Sequence, residues 1–125
     1  MRSFFSFIIN LAIVFAQSGH SVMAQQPNCD QPNTNVEFKV CMGLRYELAD
    51  KRLNEVYKQL IAKLGKEEKA LLSESQLGWI KQRDNTCEFE VYGNRAGSGF
   101  RGFLNGCLER STKQRTAELE KYLQR

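Results

Sequence analysis

The feature that most constrains the fold is a set of four cysteines that all follow an apolar N-terminal segment: Cys29, Cys41, Cys87 and Cys107. This segment carries Arg2 near its start, continues as an almost unbroken apolar run over residues 4–15, and has small residues up to Ala24. The pattern is typical of a secretory signal peptide, which we predict at residues 1–24. Because the run is shorter than the roughly 20 residues of a membrane span, we expect no span after cleavage.

Removal of the signal peptide would leave one domain, residues 25–125, in a compartment that favours disulfide bonds. An even number of cysteines in a short exported chain predicts two disulfides. A metal site is the competing interpretation, but the sequence has no CxxC spacing and its single histidine lies in the signal peptide. Spacing leaves all three connectivities open. We favour Cys29–Cys41 and Cys87–Cys107, because short loops close most readily.

The rest of the chain has apolar residues at helical spacing. Thr34 and Glu37 form a capping-box pattern that predicts the start of a first helix, and Gly65 should end that helix. A second helix should open at Lys66. Residues 93–102 hold four glycines and predict a flexible loop. A third helix should follow this loop and run toward the C-terminus.

Each predicted helix has one inner face. On the first helix this face comprises Cys41, Leu44, Leu48, Leu53, Val56, Leu60 and Leu64. On the second it comprises Leu71, Leu72, Ser75, Trp79, Ile80, Arg83 and Cys87. On the third it comprises Leu104, Cys107, Leu108, Ser111, Arg115, Leu119 and Tyr122. Short connections make neighbouring helices antiparallel. The predicted fold is therefore all-α, an antiparallel three-helix bundle stapled by two disulfides.

The sequence offers little for catalysis or for nucleic-acid binding. No histidine remains after processing, the cysteines are expected to be paired, and the serines have no evident activating base. We therefore expect neither an enzyme nor a cofactor. Loss of Arg2 lowers the formal net charge from +4 by one, and charges of both signs alternate along the chain. A nucleic-acid partner is not expected from this balance.

Four charged residues fall on faces that periodicity turns inward: Asp50, Arg83, Asp84 and Arg115. Buried guanidinium groups need carboxylates to neutralise them, so we expect the two aspartates to pair with the two arginines. We interpret this set as a structural polar network that fixes the register of the helices. The alternative is a polar pocket for a ligand. Trp79, on the same face, is expected to anchor the core.

The glycine loop and the end of the second helix form the predicted partner-binding region. Arginine and aromatic side chains on a loop held by a rigid scaffold are typical of recognition surfaces. Two glutamates precede the loop and add carboxylates to it. We assign seven residues to this region: Glu88, Glu90, Arg95, Gly97, Ser98, Phe100 and Arg101. The alternative is that the loop only links two helices.

Three runs of the sequence resemble the LprI-like lysozyme inhibitors, a family of small bacterial envelope proteins: residues 36–41, 49–57 and 76–87. The most specific is the pattern Gln-x-x-Trp-x-x-x-Arg-Asp-x-x-Cys, which runs from Gln76 to Cys87. The resemblance implies an exported helical domain with paired cysteines. For some members it also implies inhibition of lysozyme, the enzyme that cleaves peptidoglycan. The lipid-anchor motif of part of the family is missing here, so we do not extend the anchor to this chain.

Two functional hypotheses follow from these residues and from the resemblance. The first is a periplasmic or secreted binding protein that inhibits lysozyme and so protects peptidoglycan, with residues 88–103 in the sugar cleft of the enzyme. The second is an accessory module of the cell envelope that binds peptidoglycan or another envelope protein and leaves lysozyme untouched. Neither hypothesis requires a metal or a cofactor.

Overall fold

The computed structural model describes residues 26–125, which contain three long α-helices. Helix α1 spans Asn35–Ile61, α2 spans Lys66–Glu90 and α3 spans Phe100–Leu123, with a short 3-10 helix, Tyr92–Asn94, between α2 and α3. Within residues 26–125 there is no strand, and no helix there is long and apolar enough to cross a membrane. The predicted signal peptide, residues 1–24, lies outside the described residues.

Helix α1 begins where the capping pattern predicts. The Thr34 hydroxyl accepts a hydrogen bond from the Glu37 N–H at 3.1 Å. The Glu37 carboxylate reaches back and accepts one from the Asn33 N–H at 2.7 Å. Both bonds satisfy backbone donors at the helix entry that have no partner within the helix.

The end of α1 differs from its prediction. The helix stops at Ile61, and Gly65 stands instead at the N-terminus of α2. The Gly65 N–H donates to the Glu68 carboxylate at 3.1 Å. In the turn between the helices, the N–H groups of Lys63 and Leu64 donate to carbonyls three residues back. These shorter bonds tighten the last turn of α1 before the chain reverses.

The helices run up, down and up. Asn35, at the start of α1, bonds to Ser98 just before α3, and Arg52, in the second half of α1, bonds to Glu120 near the end of α3. Helices α1 and α3 are therefore parallel to each other. Helix α2 returns from the end of α1 to the start of α3 and is antiparallel to both. The predicted antiparallel three-helix bundle is confirmed.

Both disulfides lie at one end of this bundle. Cys29 is bonded to Cys41, with Cα atoms 5.3 Å apart, and Cys87 to Cys107, with Cα atoms 5.6 Å apart. The pairing that we favoured is confirmed. The first bond fastens the irregular lead-in, residues 26–34, to α1. The second fastens the last turn of α2 to α3.

Helices α1 and α3 pack against each other more closely than either packs against α2. Small residues make this approach possible: Ala49 on α1 and Thr112 and Thr116 on α3 are all buried. Near the disulfides, Gly102 lies so close to the Phe38 ring that a Cβ atom there would be 2.3 Å from Phe38 Cε1. The absence of a side chain at Gly102 therefore sets the distance between the two helices at this level.

The largest apolar cluster lies in the half of the bundle away from the disulfides. Its four buried members are Leu53, Val56, Leu60 and Leu119. Five partly buried side chains pack against them: Tyr57, Leu64, Leu72, Trp79 and Leu123. Helix α2 supplies only Leu72 and Trp79, so none of the four buried members comes from this helix.

Several residues that periodicity turned inward are exposed instead: Leu44, Leu48, Leu71, Ser75, Ile80 and Tyr122. Leu48 is 68% exposed and Leu71 is 69% exposed. Successive residues of a helix point about 100° apart. Since Ala49 and Leu72 face inward, their neighbours Leu48 and Leu71 must face solvent. The helices touch along lines that are narrower than the apolar stripes in the sequence.

The close approach at Gly102 leads to a first prediction. The change Gly102→Ala should lower the free energy of unfolding by about 1–3 kcal/mol, because the new methyl group would push into the Phe38 ring. Gly78→Ala, in the open face of α2 with no atom within 4 Å of the added Cβ, is the control. It should raise stability by about 0.5–1 kcal/mol. Urea unfolding of the two variants measures both changes in the free energy of unfolding. Equal changes would contradict the close approach of Gly102 to Phe38.

Candidate functional site

The loop after α2 is shorter and better held than its glycine content predicted. Helix α3 already begins at Phe100, and the Asn35 side chain donates to the Ser98 hydroxyl at 3.0 Å. The Gly97 N–H donates to the Asn94 carbonyl at 2.9 Å, which closes a turn. Only residues 95–99 remain outside a helix between the 3-10 segment and α3. The Asn35 bond ties the loop to the start of α1, and the Gly97 bond holds the turn within the loop.

The residues predicted to bind a partner occupy different environments at this end. Glu88 is exposed and has no ion pair with another residue of 26–125. Glu90, in contrast, is paired with Arg110 on α3. The Arg95 guanidinium lies over the Tyr92 ring, 5.1 Å from its centroid. Of the remaining four residues, three are exposed and one is partly buried: Gly97, Ser98, Arg101 and Phe100 respectively.

Sequence reasoning did not select the two most accessible aromatic residues of this end. Phe89 is 83% exposed and Tyr92 is 63% exposed. The sequence carries one signal for Phe89, because it stands between two glutamates, whose charges favour exposed positions. We call the exposed part of residues 88–101 the disulfide-end surface. It combines Glu88, Phe89 and Tyr92 with the Arg95 guanidinium.

A second group of polar residues lies between the helices around Arg83. The Arg83 side chain is only 8% exposed, and its guanidinium contacts the Asp84 carboxylate at 2.8 Å. It also donates to the Thr112 hydroxyl on α3 at 3.4 Å. Its Cζ lies 5.0 Å from the Trp79 ring centroid and 5.6 Å from that of Tyr46 on α1. Burial raises the pKa of the Tyr46 phenol above its usual value, and the nearby Arg83 charge opposes this rise.

Arg115 is the second buried guanidinium, with 11% of its side chain exposed. It donates to Gln76 at 3.0 Å and to Ser75 at 3.1 Å, both on α2, and to Glu118 at 3.1 Å on its own helix. Its carboxylate partner is therefore Glu118 and not one of the aspartates that we expected.

Asp50 does not reach either arginine by an ion pair. Its carboxylate accepts a hydrogen bond from Asn54, one turn along α1, at 3.2 Å. Helix α1 has few close contacts with α2, and side chains bridge the gap between the two backbones. One such bridge is the hydrogen bond between the Tyr57 and Ser73 hydroxyls at 3.0 Å. A short aspartate at position 50 therefore pairs within its own helix.

An open groove runs between α2 and α3 on the outer side of these arginines. Its volume is about 560 Å³. Ten residues line it: Ser75, Gly78, Trp79, Gln82, Arg83, Thr86, Ser111, Gln114, Arg115 and Glu118. We call it the α2–α3 groove. Among residues 26–125, no group of three or more histidine, cysteine or acidic side chains is placed to hold a metal ion.

Comparison with known protein families identifies the family of this chain. A family model described as "Lysozyme inhibitor LprI" matches residues 28–119, which include both disulfides and nearly all of the three helices. The chain belongs to the LprI family. Within this LprI domain, the most specific run of the sequence resemblance puts Gln76, Trp79 and Arg83 on the side of α2 that contacts α3.

One relative matches most of this chain. An uncharacterized protein of Rhizobium meliloti (strain 1021) is 29% identical over 112 residues, which cover 79% of this chain and 81% of that protein. No solved structure gives a significant match. That protein has no described function, so it adds none to the comparison.

Proposed function

We propose that this LprI domain is exported to the periplasm and inhibits lysozyme there. The observation that carries the proposal is the match of residues 28–119 to a family described as a lysozyme inhibitor. Two features support it. The signal-peptide pattern of residues 1–24 would deliver the chain to an oxidising compartment, and the two disulfides are stable in such a compartment.

We propose the disulfide-end surface as the contact with the enzyme. Exposed aromatic side chains on a rigid support are the usual anchors of protein interfaces, and Phe89 and Tyr92 are available at little cost in conformational entropy. Glu88 adds a carboxylate that is not neutralised by another described residue. A carboxylate beside an aromatic anchor suits an enzyme with a basic substrate cleft.

The first test measures lysis. The full chain is expressed with its own N-terminal segment, purified from the periplasm in oxidised form, and titrated into lysozyme acting on cell walls. We expect dose-dependent loss of lysis, and we expect a reduced and alkylated sample to inhibit far less because both disulfides fasten the disulfide end. Unchanged lysis with several lysozyme types would overturn the proposal and favour the accessory envelope role.

The surface is tested by two substitutions. Glu88→Lys and Phe89→Ala should each weaken inhibition about tenfold or more, since each removes a proposed anchor at an exposed position. Glu74→Lys is the matched control, because Glu74 is an exposed glutamate of α2 far from the disulfide end. Inhibition constants and thermal unfolding are measured for all three. Equal inhibition by the Glu88, Phe89 and Glu74 variants would exclude this surface.

A further inference from the structure

The α2–α3 groove is the most polar of the open clefts between the helices, and it is separate from the disulfide-end surface. Its volume of about 560 Å³ lies within the range of about 300–1,000 Å³ that small-ligand sites usually have. Gly78 adds to its openness, because a Cβ atom there would meet nothing within 4 Å. The groove can therefore admit a ligand without movement of the helices.

The rim of this groove carries polar groups that the fold leaves unused. Gln82 and Thr86 on α2 and Gln114 on α3 are exposed. None of the three side chains makes a hydrogen bond to another residue of 26–125. Each amide supplies two N–H donors and a carbonyl acceptor, and the hydroxyl can act in both ways. A ligand with hydroxyl groups would find donors and acceptors on both walls.

The charges of the groove neutralise one another. Arg83 contacts Asp84 at 2.8 Å, and Arg115 contacts Glu118 at 3.1 Å. Each guanidinium also donates to a neutral side chain of the other helix, so about three of its five N–H groups are already engaged. An anion would meet the Glu118 carboxylate in the same groove. The balance favours an uncharged polar ligand over a charged one.

Trp79 contributes the apolar part of the groove. Its indole lines the groove, while the two guanidinium groups lie 5.0 Å and 5.8 Å from the ring centroid and hold it in position. Because the guanidinium groups lie over the ring, the part of the indole that remains exposed offers a surface for C–H groups, and the surrounding amide and hydroxyl groups offer partners for hydroxyls. Sugar rings present both kinds of group.

We propose that the α2–α3 groove binds an uncharged saccharide. Gln82 and Gln114 would hydrogen-bond its hydroxyl or amide groups from opposite walls, and the exposed part of the Trp79 indole would contact its C–H groups. Arg83 and Arg115 act as positioning residues that keep the indole and the two helices in place. The site adds to the proposed inhibitor function and does not depend on it.

The single tryptophan of the chain makes the test direct, because all indole fluorescence comes from the proposed site. The exported, oxidised protein is titrated with triacetylchitotriose, with maltotriose and, separately, with sodium sulfate. We expect a saturable change in emission with at least one of the two saccharides and none with sulfate. No saturable change with either saccharide, or saturation with sulfate alone, would overturn the proposal.

A double variant separates binding from folding. Gln82→Ala combined with Gln114→Ala should weaken saccharide binding about tenfold or more, because the two side-chain amides that would bond to the ligand are lost. Thermal unfolding should not change, since neither amide bonds to another described side chain. Gln59→Ala, an exposed glutamine of α1 outside the groove, should bind as the unmodified protein does. Unchanged affinity in the double variant would place binding elsewhere. Because no lysozyme is present, failure here leaves the inhibitor proposal standing.

Discussion

Replacing Cys87 and Cys107 together with alanine should lower the free energy of unfolding of the LprI domain by about 2–5 kcal/mol. Both cysteines are buried, and their bond joins the last turn of α2 to α3. Helix α2 should depend strongly on this bond, because α2 supplies little of the apolar core and has few close contacts with α1. Equilibrium unfolding in urea, with the remaining disulfide intact, measures the loss.

The other disulfide is the internal comparison for this prediction. Replacing Cys29 and Cys41 together with alanine should cost less, because that bond fastens only the mostly exposed lead-in to α1. The lead-in has a second attachment, since the Arg45 side chain donates to the Cys29 carbonyl at 3.0 Å. Equal losses from the two double variants would contradict the prediction that α2 depends on its disulfide more than the lead-in does.

The sequence was most informative where local chemistry decides the structure. The Thr34 cap is set by a hydroxyl and a nearby backbone N–H, so the start of α1 could be predicted to the residue. Loop length favoured the disulfide pairing that the structure has, although spacing left the other two connectivities open. The turn at Gly65 was located correctly but assigned to the wrong helix, because a glycine is compatible with either a helix end or a helix start.

Prediction failed where distance between helices decides burial. Periodicity gives the direction of a side chain but not whether another helix lies there. Leu48 lies at the exposed edge of the α1–α3 contact, and no residue near it in the sequence indicates this. The cause lies in α3, where Gly102, Thr112 and Thr116 are small enough for that helix to pack closely against α1.

The residues around the α2–α3 groove show the same limit of prediction from sequence. Arg83 and Arg115 could be selected from the sequence as charged residues on inward faces. Arg83 pairs with Asp84 as expected, but the partner of Arg115 could not be selected, because Glu118 lies one turn along the same helix whereas Asp50 lies on α1. The α2–α3 groove follows from these partners. Two neutralised guanidinium groups hold the helices together at Trp79 and leave the outer glutamines free.

The second large effect is expected at Leu119 on α3. Leu119→Ala should lower the free energy of unfolding by about 2–5 kcal/mol, because the side chain is fully buried against Leu53, Val56 and Leu60. Removal of three carbons at this position leaves a cavity that two closely packed helices cannot easily close.

Leu71→Ala is the matched control, and it separates the periodicity of the sequence from the packing of the structure. Periodicity turned Leu71 and Leu119 equally inward, but Leu71 is 69% exposed. Its loss should therefore change stability by no more than about 0.5 kcal/mol. Urea unfolding of both variants gives the comparison. If Leu71→Ala cost as much as Leu119→Ala, α2 would have to lie closer to the other helices than this arrangement allows, and the α2–α3 groove would be narrower.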